Sequence, residues 1–390
     1  MVEWKRIEEI GHFFGGLTGK TKEDFVAGNA KFITYVNVFA NPSLDISSTG
    51  VVKIKEGEKQ NKIQKGDILF TASSETPEET GMSCVVADEL HEDYYMNSFC
   101  FGVRLNQPEQ YNLGYLKHLF RSFNIRKEIA KSASGVTRFN ISKARFGKIL
   151  IPFPSLSKQQ WIVGILDTFT SSIDNLKEQI AQRRKQYVHY RDQLLDLEGK
   201  PEVEMKTIKD ICSNICSGGT PSTSHKEYYE GSVNWLRTQE VDWKEIFDTE
   251  IRITEEAIAN SSAKLIPENC IIVAMYGATA AKVAINKIPL TTNQACCNLE
   301  IDNGKALYKF VFHWLCKEYL NLKAMGEGSQ NNINSQKVKG YPIPVPPLSE
   351  QQRIVSILDT FEASIQNLEA QLKEREKQYE CYRNKLLTFE

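Results

Sequence analysis

Apolar residues recur at alternating four- and three-residue steps in two stretches of the chain. The first stripe is Ile162, Leu166, Phe169, Ile173, Leu176 and Ile180, continued by Tyr187, Tyr190 and Leu194. The second is Ile354, Leu358, Phe361, Ile365, Leu368 and Leu372, continued by Tyr379, Tyr382 and Leu386. This alternation is the seam of a coiled coil. It predicts two helices of about 40 residues, each roughly 60 Å long. So narrow a stripe is unstable alone in water, and the nearest partner for each helix is the other. Arg183 and Arg375 fall on the seam, where an arginine either snorkels out or sets the register. Ser157 with Gln160, and Ser349 with Gln352, fit a capping box at each helix start. Prolines 152, 154, 342, 344, 346 and 347 stand just before these starts and keep the entry segments extended.

The two stretches are copies. Residues 157–195 align with 349–387 without a gap at an offset of 192, and 23 of the 39 positions are identical. An internal repeat of this length decides the architecture before any motif does. The flanking segments echo each other more faintly. VEWKRI at 2–7 answers VEMKTI at 203–208, Gly15-Gly16 answers Gly218-Gly219, NSFC at 97–100 answers NQAC at 293–296, and FNIS at 139–142 answers NNIN at 331–334. Residues 67–70 and 270–273 read as buried strands, and 115–130 and 308–324 as helices. The expected fold is α+β. A mixed domain over 1–150 is followed by a helix over 151–199, and a second mixed domain over 200–342 by a helix over 343–390. The helices are expected to pair with each other as an intramolecular coiled coil in a chain built as an internal repeat.

Composition is that of a globular chain, 41% hydrophobic and 25% charged, with net charge −1. The balance offers no global argument for nucleic acid. No run of 18 apolar residues occurs and the opening MVEWKRIEEI lacks a signal-peptide pattern, so a cytoplasmic protein without a membrane partner is expected. The nine cysteines lack zinc-type spacing and read as free thiols.

Catalytic motifs are missing. GGLTGKT at 15–21 has Phe14 where a phosphate loop needs its first glycine. Asn41-Pro42-Ser43-Leu44 lacks the second proline and the aromatic of an amino-methyltransferase motif. No paired-histidine metal motif and no nucleophile elbow occurs. The expectation is a chain with no enzymatic activity, no metal and no cofactor of its own.

Charge is uneven, however. Between 116 and 148 lie Lys117, Arg121, Arg126, Lys127, Lys131, Arg138, Lys143, Arg145 and Lys148, opposed only by Glu128. Such a field suits phosphate contacts. Beside it, SASGVTRFN at 132–140 supplies Ser134, Thr137, Arg138 and Asn140, which are base-edge readers. The second domain offers Ser329, Gln330, Asn331 and Asn332 at the corresponding place. It also offers Thr220, Ser222, Thr223 and Lys226 in one polar loop, and Arg237 and Gln239 in another.

With these residues together, the chain resembles the specificity subunit of a type I restriction–modification system. The resemblance is carried by IPFPSLSKQQWIVGILDTF and IPVPPLSEQQRIVSILDTF with their continuations, by the two domain openings, and by SQNNIN at 329–334. It covers nearly the whole chain. It implies two target-recognition domains, each reading half of a split site on double-stranded DNA. It also implies helices paired as an antiparallel intramolecular coiled coil in a pseudo-twofold internal repeat, which set the spacing and recruit two methyltransferase subunits, with a separate motor and endonuclease subunit. S-adenosylmethionine and ATP then belong to the partners. Two other readings remain at this point: a coiled-coil scaffold whose domains bind proteins, and the detached specificity part of a fused restriction–methylation enzyme.

Overall fold

The computed structural model describes residues 2–327 and 332–389. The chain divides into two compact units. The first comprises residues 1–177 and 370–390, and the second residues 178–369. Each unit contains one mixed domain, the first half of the long helix that follows it, and the last half of the other long helix.

The long helices run Leu156–Leu194 and Leu348–Leu386. Their halves pair antiparallel inside each unit. In the first unit Phe169 stacks on Tyr382 and Lys177 pairs with Glu376. In the second Tyr190 stacks on Phe361 and Arg184 pairs with Glu369 at 2.6 Å. In both, one number rises as the other falls, as antiparallel pairing requires. The seam arginines do the same thing twice. Arg375 lies 5.7 Å from the Phe169 ring centre, and Arg183 lies 5.8 Å from that of Phe361. Each phenylalanine therefore sits between an arginine and a tyrosine seven residues apart on the opposing helix. A guanidinium on a ring face satisfies the charge without leaving the interface.

Two expectations about the helices need correction. Ile162 and Leu166 are fully buried, but in the core of the first domain; Ile354 and Leu358 likewise belong to the core of the second. The first two turns of each stripe thus attach helix to domain, because the chain enters the helix directly from a domain strand. Farther along, Ile173, Leu176 and Ile180 are buried, while Phe361, Ile365, Leu368 and Leu372 are half-buried. The capping box is also displaced. The helices begin at Leu156 and Leu348, two residues before the starts that caps at Ser157 and Ser349 would give and five residues inside the expected spans 151–199 and 343–390, and Ser155 Oγ accepts from the Lys158 amide at 3.4 Å. The repeated glutamines that matter are Gln159 and Gln351, both buried. Gln159 Nε2 donates to the Pro154 carbonyl at 2.9 Å, and its Oε1 accepts from the Asn112 amide at 3.1 Å. Gln351 does the same with Pro346 at 2.8 Å and Leu307 at 2.8 Å. Each glutamine ties the helix start to the opening of the domain's own helix.

The first domain is built on an antiparallel sheet in the order Gly11–Gly15, Cys100–Leu105, Ile68–Thr71, Ser83–Val85. The second uses Cys212–Ser217, Cys296–Ile301, Ile271–Ala274, Val283–Asn286 and the short Glu245–Ile246. Among the described residues the first domain adds two small three-stranded sheets and the second adds one. A two-stranded ribbon pairs the opening of each domain with the strand before its long helix: Glu3–Arg6 with Leu150–Phe153, and Glu204–Thr207 with Pro342–Val345. The expected helices over 115–130 and 308–324 are present but broken. They run Leu113–Leu119 then Phe123–Ser132, and Tyr308–Lys317 then Tyr319–Ala324. In the first, the Ser122 hydroxyl donates to the Leu119 carbonyl at 2.7 Å, a local bond that competes with the helical one.

The cores differ in kind. Phe70, Phe101, Phe120 and Phe146 interlock in the first domain, with ring centres 4.9–5.4 Å apart for the pairs in contact. The second packs Ile271, Val273, Val283 and Leu299 against Phe310 and Leu315. All nine cysteines are free thiols. Burial pushes Cys84, Cys100, Cys212 and Cys270 up to about 12.

Candidate nucleic-acid interface

In the first domain the polar segment 132–142 is a hairpin. Ala133–Ser134 pairs with Phe139–Ile141, which in turn pairs with Ser73–Ser74. The Ile141 amide donates to the Ala72 carbonyl at 2.9 Å, anchoring the hairpin to the end of a central strand. Its tip projects, and Val136 is 91% exposed. Arg138 is the last residue of the turn joining the two strands. Its Nε donates to Ser73 Oγ at 3.2 Å, and its guanidinium lies 5.2 Å from the Phe99 ring centre. Together with Tyr35, Phe39, Ser73, Glu79 and Thr137, these residues line a cavity of about 480 Å³. Tyr35 and Phe39 stack at 6.0 Å, and the Tyr35 hydroxyl donates to the Ser73 carbonyl at 2.7 Å. Aromatic faces beside a guanidinium suit bases and phosphates alike. Ser134, Asn140 and Lys143 are exposed on the same hairpin and the turn after it, and Lys143 Nζ lies 5.5 Å from the Phe101 ring centre.

The basic run does not survive intact as a binding surface. Arg121 donates to the carbonyls of Ser83, Val38, Phe39 and Asn41 at 2.6–3.2 Å. Arg126 is bonded to the carbonyls of Gly81, Glu78 and Thr80. Burial brings both guanidiniums down to about 10, and both act as staples holding loops to the helix. Lys117 pairs with Asp167 of the long helix at 2.7 Å. These three leave the candidate set, because a charge fixed on internal acceptors cannot reach a phosphate. Lys131 is exposed and pairs with Glu128 at 2.6 Å, a surface pair worth little. Lys127, Arg145 and Lys148 are exposed as well.

In the second domain the flanks of the corresponding segment are tethered alike. Glu327 and Asn332 exchange backbone hydrogen bonds at 3.0 and 3.1 Å, and the Ile333 amide donates to the Met275 carbonyl at 2.9 Å, the same tether as Ile141 to Ala72. Asn332 Oδ1 accepts from the Gly277 amide at 3.1 Å, so this side chain closes the loop. Ser329, Gln330 and Asn331 lie outside the described residues. Ser222, Thr223 and Lys226 are exposed, with Ser222 Oγ 2.7 Å from Ser224 Oγ. Thr220 is bonded to Gln294. Arg237 is held by Glu250 and lies 3.9 Å from Glu240, which makes it part of the fold. Gln239 is exposed beside its guanidinium. The glycine pairs that anchor these loops are required by close approach. A Cβ on Gly16 would overlap the Asn97 carbonyl, and one on Gly218 would overlap that of Thr292. The near phosphate loop is a structural turn: Lys20 bonds the Lys53 carbonyl and Glu58 at 2.6 Å, and this lysine holds the Glu58 carboxyl down at about 2.

Sequence reasoning missed Tyr35, Phe39 and Phe99, which make the aromatic wall. Only the NSFC and NQAC echo pointed near Phe99. It also found no paired-histidine motif and assigned the histidines no role. His118 and His313 are both 1% exposed and occupy equivalent junctions. His118 Nε2 bonds Asp167 Oδ1 at 2.8 Å and its Nδ1 bonds the Tyr379 hydroxyl at 2.9 Å. This contact holds Asp167 down at about 2, while burial lowers His118. His313 Nδ1 meets the Tyr187 hydroxyl at 3.0 Å, with Asp359 beside it. Asp167 and Asp359, like Tyr187 and Tyr379, are repeat equivalents 192 apart. Among the described residues, no helix is long and apolar enough to cross a membrane.

Known proteins are similar to this chain in sequence and in fold. The model of the type I restriction modification DNA specificity domain matches residues 1–183 and again 200–376. The specificity subunit of the Escherichia coli type I restriction enzyme EcoR124I/EcoR124II is 38% identical over 258 residues, 62% of this chain and 63% of that protein. The MjaIX specificity subunit of Methanocaldococcus jannaschii is 32% identical over 48% of this chain and 44% of its own length. These aligned regions span less than two thirds of either relative. The putative MjaX specificity subunit of the same organism aligns over 96% of this chain and 89% of its own, at 26% identity. Among solved structures, a chain of a type I restriction–modification assembly has a TM-score of 0.66 at 16% identity, covering 99% of this chain and 97% of its own. The S subunit from M. genitalium has a TM-score of 0.57 at 15% identity, covering 100% and 97%. Both are likenesses of fold.

Proposed function

Because the chain belongs to the type I restriction–modification DNA specificity family, we propose that it is the non-catalytic DNA-recognition subunit of such a complex, working in the cytoplasm. Each domain reads one half of a bipartite site on double-stranded DNA. The paired helices set the distance between the halves and dock two methyltransferase subunits, and a motor and endonuclease subunit joins them. S-adenosylmethionine and ATP are bound by those partners. Half-site spacing follows from a rigid separation of readers, as it does for symmetric dimers.

One observation carries the reading. The two units share tethers, ribbons and helix clamps residue for residue, yet the loops hung on that frame differ in sequence: SASGVTRFN on one and GSQNNINS on the other. A fixed frame with two unlike polar loops is what reading an asymmetric site requires. In the first domain Arg138 and Asn140 are the favoured base contacts, with Ser134, Thr137 and Lys143 around them. In the second they are Gln239, Ser222, Thr223 and Lys226. The test is a map of methylated adenines in a host carrying the wild-type gene or Arg138→Ala with Asn140→Ala. The expected result is relaxed sequence at one half-site with the other half and the spacer unchanged. Equal relaxation of both halves refutes the assignment of that hairpin.

A further inference from the structure

The two histidine junctions are equivalent in sequence position and different in chemistry. In the first unit both ring nitrogens of the histidine find a partner: His118 Nε2 sits 2.8 Å from Asp167 Oδ1, and Nδ1 sits 2.9 Å from the Tyr379 hydroxyl. In the second unit the corresponding gap opens to 3.7 Å between His313 Nε2 and Asp359 Oδ1, too long for a hydrogen bond. Both atoms are buried and neither has a hydrogen-bond partner. Leaving such atoms unpaired costs about 1–3 kcal/mol each. The second unit also adds a carboxylate. Glu362 stands where the first unit has Thr170, and burial pushes its carboxyl upward.

The hydrogen-bond inventory sharpens this. The Tyr187 hydroxyl donates to Glu362 Oε1 at 3.3 Å and lies 3.0 Å from His313 Nδ1. With that proton directed at the carboxylate, Nδ1 carries the imidazole hydrogen and Nε2 presents a bare lone pair toward Asp359 Oδ1. Two facing acceptors are relieved by a proton or a metal cation between them, and the 3.7 Å gap leaves room for the larger of the two. Nδ1–H held by an outer group is also the arrangement that orients a metal-binding histidine.

We propose that His313, Asp359 and Glu362 form a binding site for a divalent first-row transition cation such as Zn²⁺. One ligand atom from each of the three lies within 4.8 Å of the other two. Metal–ligand bonds of about 2.1 Å in tetrahedral geometry place ligands about 3.4 Å apart, close to the 3.7 Å between Nε2 and Oδ1. One nitrogen with two carboxylate oxygens suits zinc, cobalt or manganese rather than calcium. The three residues line a cavity of about 850 Å³, which supplies water for the remaining position. Lys309 bonds the other Asp359 oxygen at 2.9 Å, fixing the carboxylate as an outer partner does and leaving Oδ1 for the metal. The site joins the domain helix Tyr308–Lys317 to the long helix Leu348–Leu386, so the cation cross-links domain to frame. Sequence spacing hides it because the ligands come from two separate helices.

The experiment titrates chelator-treated full-length protein with Co²⁺, then with competing Zn²⁺. Expected is one equivalent bound with a visible d–d band, no near-ultraviolet thiolate band, and loss of the band on adding Zn²⁺. Glu362→Thr and Asp359→Asn should each weaken binding at least tenfold, while Asp167→Asn in the first unit leaves it unchanged. Zn²⁺ should also shift the ring-nitrogen signals of one histidine in ¹⁵N-histidine-labelled wild-type protein, a readout independent of any variant. Absence of one-equivalent binding, a thiolate band, no histidine shift, or equal affinity in Glu362→Thr overturns the proposal.

Discussion

The two units show what a repeated frame must keep and what it can release. Gln159 and Gln351, Gly16 and Gly218, and the amides of Ile141 and Ile333 make the same contacts in both. All of them satisfy or closely approach backbone atoms, whose positions are common to the two units. The cores, by contrast, are phenylalanine-rich in one and aliphatic in the other. A core asks for volume and apolarity, and many residue sets supply those. The junction histidines fall between these cases. Their position is kept, but one site is closed by hydrogen bonds and the other gains a carboxylate. The lesson is that backbone-directed contacts resist divergence, while side-chain-directed ones drift toward separate uses.

The strongest way to break this comparison is to remove a clamp. Gln351→Leu strands the Leu307 amide and the Pro346 carbonyl, and Gln159→Leu strands their equivalents. We expect each to cost about 3 kcal/mol in its own unit. Hydrogen exchange should show faster amides in that unit alone, and equal loss in both units would contradict independent clamps. Next in size is the contrast between two arginines of the same charged run. Arg121→Met should lower stability by about 2–3 kcal/mol through lost carbonyl contacts, read as a lower urea midpoint. Arg138→Ala should leave that midpoint within about 0.5 kcal/mol while weakening specific DNA binding by about 1–3 kcal/mol, read by titration of the assembled complex. A reversed pattern would return Arg121 to the interface.

The smallest effect concerns acid. Asp167 has its carboxyl lowered from 3.8 to about 2 by His118. A lowered folded value stabilises the native state above the unfolded value of 3.8, and that contribution disappears as pH falls through about 2. Its side chain is 43% exposed, so solvent screening reduces the contribution to about 1 kcal/mol. Asp167→Asn should remove this increment at pH 7 and flatten the first unit's stability profile between pH 4 and about 2. Unit-resolved hydrogen exchange across that range would check it.

The sequence by itself determined the two long helices, their duplication and their mutual pairing. Periodicity of apolar residues is a local property that only one geometry satisfies. It also marked the central strands and the polar loop beginning at Ser132, which the structure shows to be a hairpin. Tertiary structure alone decided which charges remain available. Arg121 and Arg138 are equivalent in composition and neighbourhood along the chain, yet one faces four carbonyls and the other a cavity. It alone decided that Ile162 and Ile354 serve a domain rather than the seam, since a helix stripe does not record which surface covers it. It alone brought His313 to Asp359 and Glu362 across 46 and 49 positions of chain. The physical reason is common to all three: burial and hydrogen-bond partners are set by what folds against a residue, and those neighbours are distant in sequence.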